Sequence, residues 1–202
     1  MATSKTDIAN LALLKLGKNP ITNIEDSNDH HASIIRQSWD VLRDSELRNH
    51  AWLFALKRVL LPALAEPPAF GYGFAYQLPP DFLRLVSVNG ESAPYDPSIY
   101  NPTAYMRWVI EGGKVLTDYD SPIQARYVAR IENTFAWDAS FVELFACRIA
   151  AELTQKVNGS ATDRQLAWQE YAEARAMAYK NNAIETDTQT FPDGAFVAAR
   201  VM

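Results

Sequence analysis

Nine of the eleven prolines in this 202-residue chain fall between Pro62 and Pro122, and the only others are Pro20 and Pro192. Proline inside a helix removes a backbone donor and clashes with the preceding turn, at a cost of about 3 kcal/mol. The middle of the chain is therefore given over to strands and loops, while both flanks are free to be helical. This asymmetry predicts an α+β fold. N- and C-terminal segments form an antiparallel helical bundle, a central antiparallel β-sheet is inserted between them, and an extended C-terminal arm follows. The boundaries are 1–54 and 133–184 for the helices, 55–132 for the sheet and 185–202 for the arm. A chain of this length buries roughly 70% of its unfolded surface on folding and needs no staples.

The first flank reads as two helices. In "TSKTDIANLALLKLG" Ser4 stands three residues before Asp7, the spacing of a capping box. Ile8, Leu11, Ala12 and Leu14 give an apolar face, Gly17 is suited to the C-terminal cap, and Pro20 blocks continuation. A second helix runs through "DSNDHHASIIRQSWDVLRDSELRNHAW", capped by Ser27 or Asn28. Ala32, Ile35, Trp39 and Leu42 follow its apolar period, with Leu47 near its end. Arg36, Asp40, Arg43 and Asp44 form the opposite, solvated or partner-facing surface.

The middle reads as antiparallel sheet. "WLFALKRVLL" is a strand or a helix-to-strand transition. "DFLRLVSV" is a strand closed by Asn89-Gly90, a type I′ hairpin signal. Alternation puts Phe82, Val86 and Val88 on one face with Arg84, and Leu83 and Leu85 on the other. "MRWVIEGGKVLTDY" is a hairpin turning at Gly112-Gly113. In "PIQARYVARI", Ile123, Ala125, Tyr127 and Ala129 alternate with Gln124, Arg126, Val128 and Arg130.

The second flank is helical again. Asp138 caps "SFVELFACRIAAELTQKVNG", whose face is Phe141, Leu144, Phe145, Ile149 and Leu153, with Gly159 just past its end. Thr162 or Asp163 caps the next helix, where Ala167, Tyr171, Ala174 and Ala178 share a side. Small residues there permit close helix approach, either inside the bundle or at a subunit contact. The closing stretch "IETDTQTFPDGAFVAARVM" has no helical period, yet it carries Phe191, Phe196, Val197, Val201 and Met202. Disordered tails are polar. Its 18 residues from Glu185 reach about 60 Å when extended. The segment is built either to dock on a neighbour or to close its own core as a terminal strand.

Candidate chemistry is sparse. A net charge of -5 argues against tight duplex binding, which needs clustered Lys and Arg to displace counterions. The single cysteine, Cys147, admits no internal disulfide, and its apolar surroundings read as a buried, unreactive thiol. His30 and His31 are adjacent, so on a helix their rings point about 100° apart and do not share an ion. His50 stands alone. Glu143 and Glu152 are carboxylates that a hydrolase could pair, but a glycosidase needs its two acids about 5–9.5 Å apart. Trp39, Trp52, Trp108, Trp137 and Trp168 suit core or interface anchors better than a sugar cleft. "GYGF" at 71–74 lacks the third glycine and following helix of a phosphate loop. No motif requires a cofactor or a metal, no segment has the length of a membrane span, and the N-terminus does not read as a signal peptide. The expectation is a chain made in a cytoplasm and not an enzyme.

Several stretches, in order, resemble the head-to-tail adaptors of tailed bacteriophages, the tail tubular protein A type of short-tailed phages. "DIANLALLKLG" looks like the first helix of that family, and "WDVLRDSELRNHAWLFA" like its second helix with the Trp-x-Phe-Ala exit. "YQLPPDFLRL" is similar to its Leu-Pro-x-Asp-x-Leu-Arg landmark, here Leu78, Pro79, Asp81, Leu83 and Arg84. "IEGGKVLTDYDSPIQARYV" looks like its central hairpin and strand. "FVELFACRIAAELTQKV" with "YAEARAMA" resembles its closing helix pair. The likeness runs from about residue 7 to 185.

The resemblance implies a structural virion protein at the head–tail junction, assembled in the bacterial host cytoplasm. It implies a ring of twelve copies beneath the portal protein, joined below to a tail nozzle or other next tail protein. Genomic DNA passes through the lumen without sequence-specific binding, and no membrane is involved. The portal-binding arm is then Phe191, Pro192, Phe196, Val197, Arg200, Val201 and Met202, and candidate subunit-interface residues are Arg43, Arg84, Ala174 and Ala178. Arg84 calls for a carboxylate partner, in this chain or an adjacent subunit, because a buried unpaired Arg costs several kcal/mol. Two competing readings stand beside this one: a virion-associated peptidoglycan hydrolase, since some relatives are credited with that activity, and a monomeric interaction module.

Overall fold

The computed structural model describes residues 3–26, 28–92, 108–157 and 161–185. The fold is mixed α+β. Its helices are α1 (Lys5–Lys15), α2 (His30–Asn49), α3 (Ala139–Val157) and α4 (Ala161–Ile184). All described strands lie between them: β1 (Leu56–Leu61), β2 (Phe74–Gln77), β3 (Phe82–Val88), β4 (Glu91–Ser92), β5 (Trp108–Glu111), β6 (Lys114–Thr117) and β7 (Ile123–Ala129). The proline-rich region is thus the strand region.

Local signals act where the sequence puts them. Ser4 accepts from the Asp7 N–H at 3.1 Å, while the Asp7 carboxylate accepts from the Ser4 N–H at 2.9 Å, a reciprocal capping box. Gly17 has φ +66°. Its N–H donates to the Leu14 carbonyl and the Lys18 N–H to the Leu13 carbonyl, the double closure of a Schellman motif. The buried face of α1 is Ile8, Ala9, Ala12, Leu13 and Leu16, and Leu14 is 72% exposed. At 100° per residue the buried residues span an arc from Ile8 through Ala12, Leu16 and Ala9 to Leu13, and Leu14 falls opposite its centre. In α2 the cap is Asp29, which accepts from the Ala32 N–H at 3.0 Å. Asn28 precedes it, and Ser27 is outside the described residues. Asp138 caps α3 as expected, accepting from the Ser140 N–H at 2.8 Å. Helix α4 starts at Ala161, so Thr162 and Asp163 sit within its first turn, where the acid favours the N-terminal dipole. Gly159 lies outside the described residues.

The stretch before β1 is a transition: a 3-10 turn at Leu53–Ala55 leads directly into the strand. Two antiparallel sheets result, one in the order β1-β7-β3-β4 and one in the order β2-β6-β5. The β3–β4 turn is Asn89-Gly90 with φ +49° and +85°, and the β5–β6 turn is Gly112-Gly113 with φ +55° and +76°. Both are two-residue reversals that need a left-handed backbone.

The strict alternation expected for β3 does not hold. The register against β7 skips a residue between Phe82 and Arg84 and again between Leu85 and Ser87. Each bulge resets the two-residue period. Leu83 and Val86 therefore pack together on the helical side, while Phe82, Leu85 and Val88 join the other side.

The first sheet separates two cores. On one side, Leu83 and Val128 meet apolar residues from all four helices, and α1, α2 and α4 all contact α3. On the other, Leu85, Val88, Ile123, Ala125, Tyr127 and Ala129 meet Tyr76, Leu78 and Val115 of the second sheet. The helix-side core is aromatic. Phe141 meets Trp52 and Trp137 edge-on at 5.0 and 5.1 Å, and Trp39 stacks on Trp137 at 6.2 Å. Expected core faces on α2 and α3 are all buried: Ala32, Ile35, Trp39, Leu42 and Leu47, and Phe141, Leu144, Phe145, Ile149 and Leu153.

Candidate functional site

The most concentrated polar chemistry lies where α2, α3 and α4 meet. Glu46 of α2 is 1% exposed. Its Oε1 accepts from the Tyr171 hydroxyl of α4 at 2.8 Å, and Arg148 Nε of α3 stands 3.6 Å away. Arg148 is held by Glu152 one turn along at 2.8 Å and lies over the rings of Trp168 and Tyr171 at 4.8 and 5.3 Å. Arg175 also lies over the Tyr171 ring, at 5.5 Å. Burial pushes the Glu46 carboxyl upward, against the lowering effect of the Tyr171 bond and of Arg148 and Arg175. Burial, with the Glu46 charge beside it, pushes the Tyr171 phenol up to about 12. With Glu46 out of reach of solute, this constellation works as a clamp: one acid ties three helices through two neighbours.

A second clamp joins helices to sheet. Arg43 is 4% exposed. It pairs with Asp40 at 2.8 Å and Asp44 at 2.9 Å, and Asp44 also takes Arg130 at 2.8 Å. Arg43 thus leaves the solvated face on which its period placed it. A buried guanidinium is tolerated there because two carboxylates flank it.

The landmark residues serve the first sheet and its junctions with the second sheet and with the helices. Leu78 and Leu83 are buried in opposite cores. Asp81 takes Lys57 at 2.6 Å and the Tyr127 hydroxyl at 3.0 Å. Despite some burial of Asp81, these partners hold its carboxyl below the usual range; burial of Tyr127, together with the hydrogen bond and charge of Asp81, raises its phenol to about 12. Arg84 donates from Nη1 to the Asn49 carbonyl at 3.4 Å, a backbone acceptor at the end of α2. Arg48 reaches the other way, to the Leu83 carbonyl.

Of the expected site residues, Phe191, Pro192, Phe196, Val197, Arg200, Val201 and Met202 lie outside the described residues. Arg43 and Arg84 join α2 to its surroundings within the chain. Ala178 is 1% exposed, and both it and Ala174 pack against the helix-side core, which is the internal use of small residues. They also border a groove of about 780 Å³ that carries Glu143, Glu170, Glu173 and the exposed Met177.

Glu143 and Glu152 do not form a pair. Nine residues apart on α3, they point to opposite sides about 13 Å apart along the axis, and each has its own cation, Lys15 at 2.7 Å and Arg148 at 2.8 Å. Trp39, Trp52 and Trp137 are in the core, while Trp108 and Trp168 are half-buried. Cys147 is buried, and that burial raises its thiol. His30 and His31 open α2 with ring centres 5.9 Å apart. Among the described residues no three His, Cys, Asp or Glu side chains gather as metal ligands would, and no helix is long and apolar enough to cross a membrane. His50 ends α2, stacked on Tyr179 at 4.2 Å and within 3.0 Å of Asn182. Burial lowers its pKa, with the Arg84 charge adding to the effect.

Nothing in the sequence alone marks Glu46 or Arg43 as a buried charge. The only local signal was that each interrupts the apolar period of α2 from a position next to it. No protein-family model matches this chain, and a comparison with curated proteins gives no match either.

Proposed function

We propose that this chain is a structural subunit of a tailed-phage virion, a head-to-tail adaptor. Copies form a ring, twelve in the family it resembles, beneath the portal. The ring links the portal to the next tail protein and lets DNA pass through its lumen. Its helices act as an antiparallel bundle formed by the two ends of the chain, and residues 186–202 act as the arm that docks on the portal.

The observation that carries the reading is what the landmark residues do. Leu78, Leu83 and Arg84 bind one layer of this subunit to another, and Asp81 ties the start of β3 to β1 and β7 within the first sheet. A motif whose side chains hold a scaffold together fits a structural part better than a catalytic one. The net charge of -5 supports the same reading, because a strongly basic lumen would retain the genome. A hydrolase reading has no comparable support, since Glu143 and Glu152 diverge and each is already paired.

The test mixes the purified chain with portal protein and images the product. A ring seated on the portal is expected. A chain lacking residues 186–202 should stay folded and fail to bind. Failure of the full chain to bind portal overturns the adaptor reading, and undiminished binding by the shortened chain overturns the arm.

A further inference from the structure

The helical layer covers only part of the first sheet. On β1, Leu56 packs on the helical core, while Arg58 and Leu60 follow it on the same face and are exposed, Leu60 by 63%. On β7, Val128 is buried against the helices, whereas Arg126 and Gln124 continue that face away from them. The result is a groove of about 470 Å³ lined by Arg58, Leu60, Val86, Ser87, Gln124 and Arg126.

Arg58 and Arg126 are direct cross-strand partners. Like charges in that relation are unfavourable. No carboxylate lines the groove, and neither arginine has an ion-pair partner among the described residues. Two facing guanidinium groups beside an exposed leucine suit a ligand that offers carboxylates with an apolar side chain between them.

The chain itself carries such a ligand. Residues 185–193 contain Glu185, Asp187 and Asp193, no Lys, Arg or His, and Phe191. The stretch 93–107 has one acid, Asp96, offset by Arg107. Where the C-terminal segment departs also fits. Asn182 of α4 accepts from the Leu53 N–H at 2.9 Å, and Glu185 shares a small surface hollow with Leu53 and Phe54. Arg58 is five residues beyond Leu53, at most about 17 Å along the chain; the two extended residues to Asp187 cover about 7 Å and the long arginine side chain reaches back over the rest, while the eight residues to Asp193 span it outright.

We propose that the arginine groove of the first sheet is the docking site for the acidic stretch 185–193 of the same chain. Asp187 and Asp193 face Arg58 and Arg126, and Phe191 lies against Leu60. This goes beyond the adaptor reading: it describes the free subunit, from whose groove residues 186–193 are released when the arm docks on the portal. It sets where the chain beyond residue 193 leaves the subunit.

The full chain can be tested by paramagnetic relaxation. Cys147 is buried, so a nitroxide on Thr188→Cys labels the segment selectively. The proposal expects broadening of the Leu60, Val86 and Gln124 amides, with those of α1 unaffected. Arg58→Ser with Arg126→Ser should cut groove occupancy about tenfold, and a well-dispersed amide spectrum verifies the fold. Asp187→Asn with Asp193→Asn should do the same from outside the described fold. Combining R58E, R126E, D187K and D193K should restore broadening, and salt near 1 M, where screening acts over roughly 3 Å, should remove it. No broadening at the groove overturns the proposal. So does broadening that survives either pair of substitutions. Broadening that appears only between isotope-labelled and spin-labelled copies overturns it too, because the occupant is then a second copy's segment.

Discussion

Replacing Tyr171 with Phe removes one oxygen and leaves the ring that packs beneath Arg148 and Arg175. The lost hydroxyl donates at 2.8 Å to a carboxylate that is 1% exposed. Water has no access to replace it, and Arg148 Nε at 3.6 Å is beyond hydrogen-bonding distance. Hydrogen bonds to charged groups contribute about 1.5–3 kcal/mol, so Tyr171→Phe should cost about 2 kcal/mol at pH 8. The cost should depend on pH. Burial raises the Glu46 pKa in the folded chain, so folded Glu46 binds its proton more readily than unfolded Glu46 does. Its charge therefore opposes folding above the folded pKa, and this opposition fades as pH falls toward the unfolded value of about 4.3. Without the phenol the folded pKa rises further, and the deficit of the variant shrinks between pH 8 and pH 5. Urea unfolding followed by tryptophan fluorescence at the two pH values measures it. In melting temperature the pH 8 deficit is roughly 4–8 °C for a chain of this size. A deficit equal at both pH values, or below about 0.5 kcal/mol at pH 8, would refute the clamp. Glu46→Gln provides the control. It keeps an acceptor for Tyr171 and leaves Arg148 on Glu152, so it should cost less than Tyr171→Phe and flatten the pH response.

Asp44→Ala should cost about 2–3 kcal/mol in urea unfolding, because it leaves Arg43, 4% exposed, with Asp40 alone and frees Arg130. Phe141→Ala should cost about 3–5 kcal/mol and weaken the near-ultraviolet circular dichroism, since it empties the centre of the Trp52–Trp137–Phe145 cluster. Gly90→Ala should cost about 1 kcal/mol in a thermal melt. Its φ is +85° with nothing within 4 Å of an added Cβ, so the penalty is backbone strain alone.

The signals that were legible in advance are short-range. Ser4 with Asp7, Gly17 ahead of Pro20, Asn89-Gly90 and Gly112-Gly113 each act through backbone groups within six residues, and each starts, ends or turns its element where expected. Face assignments were less secure. The α1 face shifted by one residue from Leu14 to Leu13, and β3 exchanged Val86 for Leu85 because two bulges interrupt its period. Neither bulge has a glycine or proline to announce it. Charge placement was the least legible. Arg43 reads as a surface residue of α2 and nothing in the sequence marks Glu46, yet both are buried, because their partners come from elsewhere: Arg130 through Asp44, and Tyr171, which is 125 positions away.

By itself the sequence determined that helices flank a strand-rich middle and where most turns fall. Proline's missing donor and glycine's free φ act on the residue that carries them, whatever the rest of the chain does. Only the tertiary structure decided which ionisable groups leave water and that Arg58 faces Arg126 across a part of the sheet that the helices leave open. Burial and cross-strand register depend on segments far apart in the chain, and neither exists until those segments meet.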